Sequence, residues 1–241
     1  MTNNELTVGV LGGMGPEATV DFMTRVLALT SAKKDQDHIH MLVDHNPKVP
    51  NRQAAIRGTG EDAGPALAAM AQRLESAGAG FLVMPCNSAH AFLQAIRAVT
   101  GLPLVSIIRE SVREIARVSS GAKEVGVMAT DALLETGIYQ TALLEAGLAP
   151  LLPPADELGR LMDLIGRIKA GDKGREVADE MSTLAELLAS SGADVIIAAC
   201  TEIPLVLHAG NISVPVISTT DVLARRTVEI ARGGAMPACE S

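Results

Sequence analysis

The stretch Gly80-Phe81-Leu82-Val83-Met84-Pro85-Cys86-Asn87-Ser88-Ala89-His90 passes from an apolar run of strand character directly into a thiol, an amide, a hydroxyl and an imidazole. Phe, Leu and Val favour a buried strand. The small polar residues after Cys86 open a helical pattern that runs to about Val99. In an open parallel sheet, ligands bind just beyond the carboxyl ends of the strands. A helix start adds unpaired N–H groups and partial positive charge, a field that lowers a thiol's pKa. The chain then repeats the move. Gly192-Ala193-Asp194-Val195-Ile196-Ile197-Ala198-Ala199-Cys200-Thr201-Glu202 carries the same pattern, with Gly-Ala first in each copy (Gly78-Ala79, Gly192-Ala193) and the cysteine eight residues after that glycine.

Working outward, other pieces recur at nearly the same distance. Thr7-Val8-Gly9-Val10-Leu11-Gly12-Gly13 is echoed by Glu124-Val125-Gly126-Val127-Met128-Ala129-Thr130, with Gly126 standing 117 residues after Gly9; Cys200 stands 114 after Cys86. Leu102-Pro103-Leu104-Val105-Ser106 is echoed by Val214-Pro215-Val216-Ile217-Ser218. The predicted strands are Leu6–Leu11, His38–Val43, Phe81–Met84, Leu104–Ser106, 124–130, Leu148–Leu152, Asp194–Ala198 and 214–218. The predicted helices are Glu17 to about Ala32, Gly64–Ala77, one from Cys86 to about Val99, one ending near Val118, Ala132–Ala146, Glu157–Ala170, Arg175–Ser190 and Thr219–Ala231. The tail from Gly233 is expected to fray. Alternating strands and helices predict an α/β protein. The expected architecture is two pseudo-symmetric doubly wound domains, each a parallel sheet flanked by helices, with the active site in the interdomain cleft. The halves are expected at 1–104 and 105–218, with 219–241 packing back onto the first. A pseudo-twofold between them would turn Cys86 and Cys200 towards one another.

Composition narrows the function. The 241 residues are 48% apolar and 2% aromatic, with no Trp and a formal charge of −8. Nucleic-acid binding wants a basic face and stacking aromatics, so that class is set aside. No apolar run approaches the roughly 20 residues that span a bilayer, so no membrane association is expected. Met1-Thr2-Asn3-Asn4-Glu5 has no basic region ahead of an apolar one, and three cysteines are too few for a disulfide framework. The expected location is the cytoplasm.

The bland reading of Cys86 and Cys200 is two buried thiols. Equivalent placement in two repeats, each beside hydroxyl, amide or acid groups, favours chemistry. No further ligands at zinc-site spacing accompany them. One thiolate and one thiol on opposite faces of a substrate can remove an α-proton and deliver another. Gly13-Met14-Gly15-Pro16-Glu17-Ala18 satisfies the dinucleotide pattern G-x-G-x-x-A, but Pro16 lies inside it and no acidic residue follows at about 20 residues. The preferred reading is a loop whose N–H groups hold a carboxylate. Arg52, after Pro50-Asn51 in a polar loop beyond the second strand, is a candidate anion anchor; Lys169 has little support from its own surroundings. His38 and His40 share a strand face and read as structural. His90, four residues after Cys86, makes a Cys–His nucleophile conceivable, with capping or packing duty preferred.

Val8-Gly9-Val10-Leu11-Gly12-Gly13-Met14-Gly15-Pro16-Glu17-Ala18-Thr19, Cys86-Asn87-Ser88-Ala89-His90 and Ala199-Cys200-Thr201-Glu202 together resemble the aspartate/glutamate racemase family over nearly the whole chain. The Gly-Gly-Met-Gly-Pro opening is similar to the aspartate racemase branch. The resemblance implies two pseudo-symmetric α/β domains, no cofactor, a homodimer, and racemisation by Cys86 and Cys200 as the acid/base pair. It further implies that Asn87, Ser88, Thr130 and Thr201 hold the α-carboxylate and amino group, with Arg52 and Lys169 on the side-chain carboxylate. Met14, in the glycine turn, and Glu202, two residues after the second cysteine, complete the candidate substrate-binding set. Three positions depart from the family pattern: Ser88 stands for Thr, Ala199 for Gly, and Leu133 where another Thr is common. The expected activity is cofactor-independent interconversion of L- and D-aspartate, with glutamate a second candidate. The alternatives are an isomerase or decarboxylase of small, maleate-like dicarboxylates, a non-catalytic dicarboxylate-binding protein, and a dinucleotide-dependent oxidoreductase.

Overall fold

The computed structural model describes residues 5–207, 210 and 212–236. Two compact units compose the chain: one runs through Ile107 and resumes at Thr220, and the other is Ile108–Thr219. In the first unit the order is β1 (Val8–Gly12), α1 (Pro16–Leu29), β2 (Met41–His45), α2 (Arg52–Ile56), α3 (Gly64–Ser76), β3 (Phe81–Val83), α4 (Leu93–Arg97) and β4 (Leu104–Val105). There follow α5 (Ile107–Val118), β5 (Glu124–Met128), α6 (Asp131–Glu135), α7 (Ile138–Glu145), β6 (Ala149–Leu151), α8 (Ala155–Lys169), α9 (Arg175–Ser190), β7 (Val195–Ala198), β8 (Val216–Ser218) and α10 (Thr219–Ala231).

Each unit holds a four-stranded, wholly parallel sheet, ordered β2-β1-β3-β4 in the first and β6-β5-β7-β8 in the second. The two orders are the same once the elements are matched, which is the α/β duplication the repeats predict. Helices cover both faces of such sheets, so central strands are apolar on both sides. β1, β3 and β7 are buried along their whole length. The glycine inside the first strand of each unit has a packing reason. A Cβ on Gly9 would lie 2.7 Å from Leu82 Cδ2, 2.9 Å from Ala79 Cβ and 3.3 Å from Leu74 Cβ. On Gly126 it would meet Ile196, Ala193 and Leu188, the same three places 114 residues on, at 3.1–3.4 Å.

The helices after the last strands cross between units. α5 leaves β4 and belongs to the second unit from Ile108, where Tyr139 hydrogen-bonds Ser111 and Arg109 pairs with Glu145 at 3.4 Å. α10 leaves β8 and belongs to the first unit from Thr220. There the Leu6 N–H donates to Ala231 O at 2.9 Å, Arg25 pairs with Asp221, and Arg232 Nη2 donates to Ser31 O and Asp37 O.

Several element boundaries differ from the sequence expectation, each for a local reason. β2 begins at Met41, not His38, because its register on β1 runs from Val8↔Met41 to Gly12↔His45, while Asp35–Asp37 form a 3-10 turn. The helix expected from Cys86 is a 3-10 segment, Ser88–Phe92, before α4. The Cys86 carbonyl, which an α-helix would offer to the His90 N–H, takes the His90 ring instead; the His90 N–H turns to Asn87 O at 3.0 Å. The helix expected over 132–146 breaks at Gly137, whose φ of +70° is a left-handed conformation suited to glycine. The loop holding Arg52 continues into the short α2, because Asn51 Oδ1 accepts from the Gln53 and Ala54 N–H groups. Of the tail expected to fray, residues 237–241, Cys239 among them, lie outside the described residues. No helix among the described residues is long and apolar enough to cross a membrane.

Candidate active site

In each unit the cysteine follows the strand at the topological switch point, where β2 and β3 lie on opposite sides of β1, and β6 and β7 on opposite sides of β5. Crevices form beyond the strand ends at such points. Val10 pairs with Val83 in the first unit, so the Gly13-Met14-Gly15 turn and Cys86 leave neighbouring strand ends. Met128 pairs with Ala198 in the second, so Thr130 and Cys200 each follow two residues later.

In the first unit Cys86 is 7% exposed and packs in one apolar cluster with Met14, Leu11, Val49 and Met84. Asn87 is buried at the start of the 3-10 segment and Ser88 is half-buried as its first residue. Arg52 opens α2, which packs on that segment. Its Nη1 donates to Val49 O and Pro50 O at 3.1 and 3.0 Å, which orients the guanidinium; Nε and Nη2 have no protein partner among the described residues. A guanidinium held by one edge presents its remaining donors to an anion in a fixed fork. The Gly13 N–H is taken by Thr19 Oγ1 at 2.8 Å, inside the turn's own helix.

His90 is not paired with the Cys86 thiol. The Ile107 N–H donates to its Nε2 at 3.3 Å, so Nδ1 carries the proton and donates to the Cys86 carbonyl at 2.9 Å. Burial pushes its pKa down to about 4, leaving a neutral ring that ties the Cys86 turn to the start of α5. A measurable consequence follows for stability. Below the ordinary 6.5 an unfolded chain's histidine binds a proton, whereas the folded chain refuses it until about pH 4. Stability contributed by neutral His90 is therefore present above pH 6.5 and lost as pH falls through that window, on the order of 3 kcal/mol in all. Denaturant midpoints measured from pH 7 to 4 should fall less steeply in His90→Gln than in the unaltered chain. Equal slopes would overturn this account.

In the second unit Cys200 is 6% exposed. Its thiol donates to Glu202 Oε2 at 3.0 Å, and Thr201 Oγ1 lies 3.5 Å from the same oxygen. Glu202 Oε1 is 3.9 Å from Lys169 Nζ, the last residue of α8, whose side chain is 41% exposed. Burial pushes the Cys200 thiol well up, the Glu202 carboxylate adds to the rise, and Lys169 opposes it. Thr130 is buried at the N-cap of α6. Leu133 is buried one turn further along. Tyr139, the only tyrosine of the chain, is fully buried in α7, where burial raises its phenol's pKa and the charge of Cys200 raises it further.

Sequence reasoning did not identify Glu202 as a direct partner of the thiol, nor Tyr139 as a group that feels the charge of Cys200. The first had a signal, an acid two residues beyond the cysteine; the second had only its singularity. Among the described residues no group of three or more His, Cys, Asp or Glu side chains is placed to hold a metal ion, and His40 shares a hydrogen bond with Thr7 Oγ1 at 3.3 Å.

Comparison with known proteins gives a consistent picture. Residues 11–227 match the Asp/Glu/Hydantoin racemase family. The chain is 29% identical to the broad specificity amino-acid racemase RacX of Bacillus subtilis, over 92% of this chain and 96% of that one. Its fold is similar to that of Picrophilus torridus aspartate racemase, with a TM-score of 0.84 and 27% identity over 96% of each chain. An aspartate racemase homologue from Pyrococcus horikoshii superposes with a TM-score of 0.76 at 22% identity, covering 93% of this chain and 98% of that one.

Proposed function

The chain belongs to the Asp/Glu/Hydantoin racemase family, cofactor-independent isomerases of amino acids, and from that premise we propose that it interconverts L- and D-aspartate by two-thiol proton transfer. The observation that carries this reading is the pair of cysteines at the same switch point of two like-ordered sheets. One sulfur, as thiolate, removes the α-proton; the other, as thiol, delivers a proton to the opposite face of Cα. Asn87, Ser88, Thr130 and Thr201 serve the α-carboxylate and amino group, while Arg52 and Lys169 serve the side-chain carboxylate. An αC–H is a very weak acid, so developing charge has to be met by fixed donors and helix starts in a water-poor site. A homodimer acting in the cytoplasm is part of the same reading.

A second reading is favoured by one contact. Lys169 already faces Glu202, which tempers its pull on an acidic side chain, and the relative RacX is a broad-specificity enzyme. On that reading neutral amino acids turn over as well.

Incubation of the purified chain with L- or D-aspartate, without added cofactor, and chiral separation of the products tests the proposal. Appearance of the opposite enantiomer supports it. Absence of turnover with aspartate, glutamate and neutral amino acids alike sinks it, and turnover of neutral amino acids alone selects the second reading.

A further inference from the structure

We propose that Glu202 is a positioning residue that keeps Cys200 in the thiol state, with Lys169 acting against it. This goes beyond placing Glu202 at the substrate, and it rests on the racemase reading for its catalytic meaning though not for its test.

The geometry carries the assignment. Cys200 Sγ and Glu202 Oε2 are 3.0 Å apart and both side chains are buried. A carboxylate only accepts hydrogen bonds, so a sulfur at that distance has to bring the proton. Were Cys200 a thiolate, two anions would face each other with little water between them, an arrangement in which one of the pair takes up a proton. Among the described residues, Glu202 from its own turn and Lys169 from the end of α8 act on Cys200, and Tyr139 of α7 in turn feels the charge that Cys200 would carry. Tyr139 stays neutral in its buried setting, and on top of burial, which does most to hold the thiol protonated, Glu202 adds to the rise and Lys169 opposes it. The Glu202 backbone N–H donates to the sulfur and opposes the carboxylate weakly.

The consequence for racemisation is an assigned starting state. Cys200 begins as the acid: its S–H breaks, the proton passes to Cα, and a thiolate remains. In the reverse direction that thiolate takes the α-proton back, and the adjacent carboxylate makes it a stronger base. A substrate carboxylate that engages Lys169 would draw it from Glu202 and strengthen the effect, linking side-chain recognition to the basicity of the sulfur.

The experiment titrates Cys200 alone. In a Cys86→Ser/Cys239→Ser background it is the one thiol left, and its ionisation is followed by the ultraviolet absorbance of the thiolate as pH rises. Glu202→Gln should lower the midpoint by about one pH unit or more, Glu202→Asp should restore part of the loss, and Lys169→Met should raise it. Opposite shifts from the two neighbours are something a packing role would not produce. An unchanged midpoint in Glu202→Gln, or shifts of the same sign in both variants, overturns the proposal. Should the double background fail to fold by circular dichroism, the pH dependence of Cys200 alkylation by iodoacetamide, read by peptide mass spectrometry in otherwise unaltered chain, gives the same comparison. None of this needs a substrate, so failure of the racemase assay and failure of this inference are separate results.

Discussion

On the proposed two-thiol mechanism, Cys86→Ser and Cys200→Ser should each lose racemisation by about 1,000-fold or more, since each would remove one of its two proton-transfer groups. Serine keeps the volume but is far too weak an acid to ionise at neutral pH, so the loss reports chemistry and not packing. Both sulfurs lie in apolar clusters, and a volume-conserving change there leaves the surroundings filled. Cys200→Ser should still exchange with solvent deuterium the α-proton of the enantiomer whose hydrogen faces Cys86, and Cys86→Ser should exchange that of the other enantiomer only as rising pH ionises Cys200, whose thiol is pushed up. In the unaltered enzyme the rate should follow a bell-shaped pH profile, falling when both thiols are protonated and when both are ionised, with apparent pKa values that belong to the pair. Cys239→Ser should be without effect. Near-normal racemisation by Cys200→Ser would show that the duplicated cysteines do not work as a pair.

Gly13→Ala should destabilise the fold by about 3 kcal/mol or more. Gly13 has φ +91°, in the region that disfavours a side chain, and its added Cβ would lie 2.5, 2.6 and 2.7 Å from the carbonyl carbon, nitrogen and oxygen of Asn46. Those are backbone atoms held by the Asn46 N–H bond to Gly12 O, 3.1 Å long, so they cannot swing aside as a side-chain tip would. Gly58 provides the control. Its φ is +68° but nothing lies within 4 Å of an added Cβ, so Gly58→Ala carries only the backbone strain, about 1 kcal/mol. Urea midpoints at constant m measure both. Equal costs would mean that the approach of Asn46 to the turn does not constrain it. Because Met14 follows directly, activity should fall with stability in Gly13→Ala and persist in Gly58→Ala.

Much of the architecture was legible without coordinates because buried parallel strands leave a plain record. Val8-Gly9-Val10-Leu11 and Val195-Ile196-Ile197-Ala198 are apolar on both faces, and near-equal spacing of two such sets implies two like sheets. Where hydrogen bonds compete, the record is weaker. The turn after Cys86 reads as an ordinary helix start by composition, yet a histidine ring claims the carbonyl that an α-helix needs. β2 reads by alternation as starting at His38, yet pairing with β1 places its start at Met41.

The sequence by itself determined the α/β class and the duplication, because burial on both faces and a repeated spacing are properties of the chain alone. Only the tertiary structure decided that His90 holds a carbonyl instead of a thiol, that Arg52 sits on two carbonyls of its own loop, and that Glu202 turns its carboxylate onto Cys200. Each of these depends on where a side chain points after the backbone has turned. Residues two to four apart in sequence can face together or apart according to whether the turn is α, 3-10 or irregular. That choice is settled by which buried donors and acceptors remain to be satisfied once the sheet has formed.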